Sequence, residues 1–157
     1  MPVLEAELTQ RARLSRSDFV EAAIQLAERD GLESLTLRAI GSHLEVDSTA
    51  IYRHFPSKEL LLVAILDHYL SDAFGAVPDG LTPRRQIESA AHTVRRVLLE
   101  HPALSVAVGS LEEYSGNSPR FLDIAVDSLE AMGLNGEELV AHYQLLENFV
   151  IGATYLD

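Results

Sequence analysis

The stretch that decides the fold is residues 36–55, TLRAIGSHLEVDSTAIYRHF. Leu37, Ile40, Gly41 and Leu44 recur at the three- and four-residue spacing that gathers side chains on one face of a helix, and Thr36 is placed to cap its start. Glu45, Val46 and Asp47 break it, and a second short helix is expected over 48–55 with Ile51 and Phe55 on its buried side. Two short amphipathic helices across a tight break form the helix-turn-helix layout, in which the first helix braces the second against DNA. That geometry needs a small residue where the helices cross, which is Gly41, and an apolar residue just after the turn, which is Val46. Asp47, Ser48, Thr49 and Ala50 are left for the exposed N-terminal end of the second helix.

The flanks carry the same helical idiom. Upstream, Ser15 with Asp18 three residues later is a capping-box pattern, and Phe19, Ala22, Ala23, Leu26 and Ala27 form one apolar face stopped by Gly31. Downstream, Pro56 and Ser57 precede a helix expected over about 58–75, with Leu61, Ile65 and Tyr69 facing inward. Residues 75–83 read as a linker. Thr82 followed by Pro83 opens a helix lined by Ile87, Ala90, Ala91, Val94, Val97 and Leu98, which His101 and Pro102 interrupt. A shorter helix is expected to reach about Tyr114. Another follows Ser118 and Pro119, with Phe121, Ala125, Leu129 and Met132 inside and Gly133 as its stop, and a last one begins near Glu137.

No segment alternates with a period of two, so the fold class is all-α, in about eight helices. The expected organisation is an arm over 1–14, a three-helix DNA-binding domain over 15–56, and an antiparallel helical bundle over 57–157.

Composition narrows the function. The chain has no cysteine, which excludes disulfides, cysteine zinc sites and cysteine nucleophiles. Its most apolar runs fall well short of the ~20 residues of a membrane span, and the N-terminus lacks the apolar core of a signal peptide. A soluble, cytoplasmic chain is expected. The net charge of −12 argues against non-specific affinity for nucleic acid. It is uneven, however: −3 over residues 1–60 and −9 over 61–157. Eleven of the twelve basic residues are arginine, suited to bidentate bonds with phosphate or base edges, and Arg11, Arg13 and Arg16 alternate near the N-terminus. No HExxH, nucleophile motif or glycine-rich phosphate loop occurs, and the pairs His68/Asp72 and Glu138/His142 lack a third ligand, so neither an enzyme nor a metal or other cofactor is expected.

Residues 46–61, VDSTAIYRHFPSKELL, together with Phe19, Ala22, Ala23, Leu26, Ala27 and Gly31 and the run Leu35, Thr36, Leu37, Arg38 and Ile40, resemble the signature of the TetR family of transcriptional regulators. The resemblance covers about residues 15–62. It departs at Glu45, where that family usually has glycine. A non-glycine residue in a left-handed turn costs about 1 kcal/mol.

The resemblance implies a dimeric, ligand-responsive regulator, most simply a repressor on a palindromic operator in double-stranded DNA. Tyr52, Lys58 and Thr36 would meet phosphates. Ser48, Thr49 and Ala50 would face base edges, Arg38 and Arg53 could reach guanine, and His54 would touch the DNA backbone or support the helix. It also implies a small-molecule effector among the later helices, for which Tyr69, His92, Arg96, Tyr114, His142 and Tyr143 are the candidate lining residues, Arg96 suggesting an acidic ligand. In the final helix, Leu139, Tyr143, Leu146, Val150 and Ala153 form one apolar stripe and Leu145, Phe149, Gly152 and Leu156 a second. Two stripes imply burial on both sides. Leu145, Phe149, Gly152, Ala153 and Leu156 are therefore the expected homodimer interface, in a chain expected to end before its family's usual last helix. The competing reading, motivated by the charge and by Glu45, is a helical interaction protein that has lost DNA binding.

Overall fold

The computed structural model describes residues 14–75, 78, 80–109 and 119–154. Among them the chain forms eight α-helices and no strand: α1 (Arg16–Asp30), α2 (Leu37–His43), α3 (Ser48–Tyr52), α4 (Lys58–Phe74), α5 (Pro83–Glu100), α6 (Pro102–Gly109), α7 (Pro119–Ala131) and α8 (Gly136–Thr154). A single 3-10 turn, Leu32–Ser34, lies between α1 and α2. The chain divides into two compact units after Ile65.

In the first unit, α1 starts at a capping box closed from both sides. The Asp18 amide donates to Ser15 Oγ at 3.3 Å, and the Ser15 amide donates to Asp18 Oδ2 at 2.6 Å. Phe19, Val20, Ala22, Ala23 and Leu26 form its buried face, and α1 packs on α2 and on the 3-10 turn. Leu35, Ile40, Ile51, Phe55 and Leu61, all fully covered, complete the core together with the buried Leu37.

In the second unit, α5 packs on α6, α7 and α8, and α7 packs on α8. Ala90, Thr93, Val94 and Val97 are the buried positions of α5, and Phe121, Ala125, Ser128 and Leu129 those of α7. The Ser128 hydroxyl, almost fully covered, donates to Gln86 Oε1 at 3.2 Å and so ties α7 to α5. Met132 is exposed rather than inside, because α7 ends at Ala131 and the chain turns there. Pro83 occupies the first position of α5 as expected, but the Thr82 side chain makes no capping bond. No described helix is long and apolar enough to cross a membrane.

Candidate nucleic-acid interface

The turn between α2 and α3 sets the interface. Thr36 caps α2, its Oγ1 accepting the Ala39 amide at 3.0 Å. At the other end the Val46 amide donates to the Gly41 carbonyl at 2.9 Å and the Glu45 amide to the Ser42 carbonyl at 3.3 Å. Those two bonds are the Schellman pattern, which requires a left-handed residue at its centre. Glu45 takes that conformation, with φ of 54°, and no other non-glycine residue with positive φ occurs among the described residues. The sequence departure at this position is thus absorbed as local strain, not avoided by another geometry.

Asp47 then caps α3, accepting the Thr49 amide on Oδ1 at 2.8 Å. The Thr49 amide and hydroxyl hold the Asp47 carboxyl below the ordinary aspartate range, so it stays ionised at the tip of the helix. Thr49 itself is exposed and presents a hydroxyl and a methyl to whatever lies opposite.

The short helix α3 is held from behind. Ile51 is fully buried, as is Phe55 just beyond the helix, and α3 packs against α2. The His54 ring lies 5.2 Å from that of Phe19, and the Arg16 guanidinium sits 4.5 Å above the centre of the Phe55 ring. His54, which follows α3, thus packs against α1. Arg16 is the first residue of α1 and part of its packing; Arg11 and Arg13 lie outside the described residues.

Most of the residues expected to face DNA are outward. Thr36, Arg38, Thr49, Tyr52 and Arg53 are exposed, Tyr52 by 52 %, and Ala50 is half-buried. Ser48 opens α3. Lys58, at the start of α4, is half-buried, and its Nζ donates to the Leu32 carbonyl at 3.3 Å. One of its three N–H groups is therefore committed within the unit, joining α4 to the 3-10 turn. The structural roles of Asp47, Arg16 and Lys58 were not among the expectations. For Asp47 the signal was present, an aspartate directly before a helix, whereas the partners of Arg16 and Lys58 are distant in the chain.

The expected effector residues divide. Tyr143 is buried, its ring 6.4 Å from Phe121, and Tyr69 is half-buried and stacked on His101 at 3.8 Å. His92, Arg96 and His142 lie on the outside, contrary to the expectation that they turn inward. Position 92 falls about 200° round the helix from Ala90, and Arg96 pairs with Glu100 across one outer turn at 3.2 Å. His142 Nδ1 contacts the Glu138 carbonyl at 2.8 Å on its own helix. Tyr114 is outside the described residues.

On α8 the two apolar stripes have different fates. Tyr143 and Val150 are buried, whereas Leu145 and Phe149 are exposed by 68 % and 73 %. Gly152 is exposed beside them, with nothing within 4 Å of where a Cβ would stand, and Ala153 is half-buried. Leu156 is outside the described residues. No group of three or more His, Asp or Glu able to hold a metal occurs among the described residues.

Residues 19–65 match the family described as bacterial regulatory proteins, tetR family, and residues 78–156 match the tetracyclin repressor-like C-terminal domain. An HTH-type transcriptional regulator of Saccharopolyspora erythraea is 28 % identical over 150 residues, covering 95 % of this chain and 63 % of its own length. An HTH-type transcriptional repressor of Mycobacterium tuberculosis is 27 % identical over 154 residues, covering 94 % of this chain and 59 % of its own. The chain thus spans about three-fifths of the length of these curated relatives. The crystal structure of BioQ with its natural double-stranded DNA operator superposes with a TM-score of 0.69 at 29 % identity, covering 90 % of this chain and 85 % of that one. With both family models matched in order along the helices described above, the chain belongs to the TetR family of bacterial regulatory proteins.

Proposed function

We propose that this chain is a cytoplasmic, ligand-responsive transcriptional repressor, not an enzyme, which binds a palindromic operator as a homodimer. The observation that carries the reading is the recognition helix: its back is locked by Ile51, Phe55, His54 and Arg16, and its front leaves Thr49, Tyr52 and Arg53 free to meet DNA. The likeness to an operator-bound relative over 90 % of this chain supports it. Tyr52, Lys58 and the Thr36 hydroxyl are assigned to phosphates. Ser48, Thr49, Ala50, Arg53 and Arg38 are assigned to the bases. Asp47 adds an acceptor at the helix tip that suits a cytosine amino group and repels misplaced phosphate.

The exposed stripe of Leu145, Phe149 and Gly152 on α8 is assigned to the dimer contact, since an uncovered aromatic beside a glycine allows a second helix to approach closely. Residues 66–157 then receive the effector, and α4, which begins at Lys58 and ends at Phe74, carries its effect toward the DNA-reading helices. Selection of bound sequences from random duplex DNA tests the reading. It should return a two-fold symmetric site with half-sites about one helical turn apart. Failure to enrich any sequence, or retention on a DNA column that ignores salt, would favour the helical interaction protein instead.

A further inference from the structure

Besides its exposed stripe, α8 has an inner row. Tyr143, Glu147, Val150 and Thr154 follow one another at intervals of four, three and four residues, which places a glutamate in the middle of the face whose other members are buried. The Tyr143 hydroxyl donates to the Glu147 carboxylate. The oxygen Oε1 of that carboxylate is shielded from solvent yet has no hydrogen-bond partner among the described residues. The side chain as a whole is only half-buried, so Glu147 stands at the edge of the packed face and not in the middle of the core.

A shielded carboxylate oxygen without a donor is unfavourable, and buried polar atoms in folded proteins nearly always have a partner. Burial pushes the Glu147 carboxyl upward, and the bond from Tyr143 draws it only partly back; no basic side chain among the described residues contributes. The Tyr143 hydroxyl is pushed upward as well, first by burial and then by the glutamate's charge. A cation bearing N–H groups would relieve both deficits at once, giving Oε1 a donor and the buried charge a counter-charge. A metal ion fits poorly, because no further carboxylate or imidazole among the described residues joins the pair. The basic candidates for an acidic ligand, Arg96 and His92, are on the opposite, outer arc of α5. Around the carboxylate the surroundings are apolar and aromatic: the Tyr143 ring, one helical turn before Glu147, packs 6.4 Å from that of Phe121.

We infer that the helical unit recognises ligands that join a protonated amine to an apolar or aromatic body, with Glu147 as the anchor of the amine and Tyr143 as the residue that orients the carboxylate. This deepens the effector reading above and rests on it.

The test is calorimetric titration at neutral pH with three ligands of one apolar body and different head groups: phenylbutylamine, phenylbutanol and phenylbutyrate. The amine should bind at least about tenfold more tightly than the alcohol, and the carboxylate should not bind. Glu147→Gln, nearly isosteric, should remove the preference for the amine, whereas Tyr143→Phe should retain it. Equal binding of all three ligands, preference for phenylbutyrate, no detectable binding of the amine, or unchanged amine affinity in Glu147→Gln would each overturn the inference. The comparison of head groups on the unmodified protein decides the matter even if a variant fails to fold. Release of operator DNA, measured alongside, separates the two levels. An amine held through Glu147 without release supports the anchor and counts against the effector reading. Release by neutral or anionic ligands, indifferent to Glu147, overturns the anchor and leaves the effector reading standing.

Discussion

Phe55 and Phe149 are the same side chain put to opposite uses, and they mark how the two compact units differ. Phe55 ends the recognition segment with 0 % of its surface exposed and a guanidinium over its ring. Phe149 stands 73 % exposed on α8, with Leu145 one turn before it and open space at Gly152 after it. The first unit covers Phe19 and Phe55 within the chain and turns Tyr52 and polar groups outward. The helical unit buries one face of α8 and leaves the other face apolar and uncovered. Sequence patterning alone shows both as apolar stripes; burial shows that only one of them belongs to the fold of a single chain.

The contrast predicts unequal losses from the same truncation. Phe55→Ala should destabilise the DNA-reading unit by about 3–5 kcal/mol, because the surrounding helices collapse only partly into the vacated volume. Phe149→Ala should change the unfolding free energy of the dilute monomer by no more than about 0.5 kcal/mol. Denaturant unfolding at low protein concentration measures both, and equal losses at the two sites would break the comparison.

Phe149→Glu asks what the uncovered face is for. The variant should fold, sediment as a monomer and lose about 100-fold in affinity for a palindromic operator, since two linked half-site contacts become one. Half-site affinity should be unchanged. A dimer that persists in this variant removes α8 from the interface.

Within the reading unit, the exposed residues should separate by kind of contact. Arg53→Ala should alter which bases are preferred, by about 1–3 kcal/mol at the affected position, with little change in the salt slope. Lys58→Ala should weaken binding to all sequences and make the salt dependence shallower by about one unit. Because its Nζ also bonds the Leu32 carbonyl, loss of the lysine should in addition lower stability by about 1 kcal/mol. An altered base preference in Lys58→Ala, seen by sequence selection, would contradict its assignment to phosphate.

How much of this was legible depended on how local the cause was. Thr36, Gly41, Asp47 and the capping box of Ser15 and Asp18 act through bonds to residues five or fewer positions away, and the helices they bound could be read off the sequence. Arg16 over Phe55 and Lys58 on Leu32 could not, since each partner is distant in sequence and comes close only once the helices pack. In the helical unit, His92 and Arg96 were expected inside because polar groups on a mostly apolar helix invite a ligand. The helical arc places them outside, and position 96 has a closer explanation in Glu100. Glu147 went unremarked for the opposite reason: a glutamate in a helix looks like surface until the packing of α8 covers part of it.

The smallest effect concerns a turn that the chain makes twice. After α7, the Leu134 amide donates to the Leu129 carbonyl at 3.1 Å and the Gly133 amide to the Glu130 carbonyl at 2.8 Å, the same pair of bonds that closes α2 around Glu45. The central φ is 95° at Gly133 and 54° at Glu45. Glycine adopts that conformation freely, whereas at Glu45 the side chain's Cβ crowds its own backbone. Glu45→Gly should therefore stabilise the DNA-reading unit, by up to about 1 kcal/mol, the gain being limited by the larger entropy glycine gives the unfolded chain. Gly133→Ala should destabilise the helical unit by about the same amount, and open space around the missing Cβ means that the loss would come from backbone strain, not from a clash. Opposite signs at two turns with one hydrogen-bond pattern would show that the residue, not the turn, sets the strain. A Glu45→Gly variant that is less stable than the parent would show instead that the glutamate side chain's own contacts outweigh its strain.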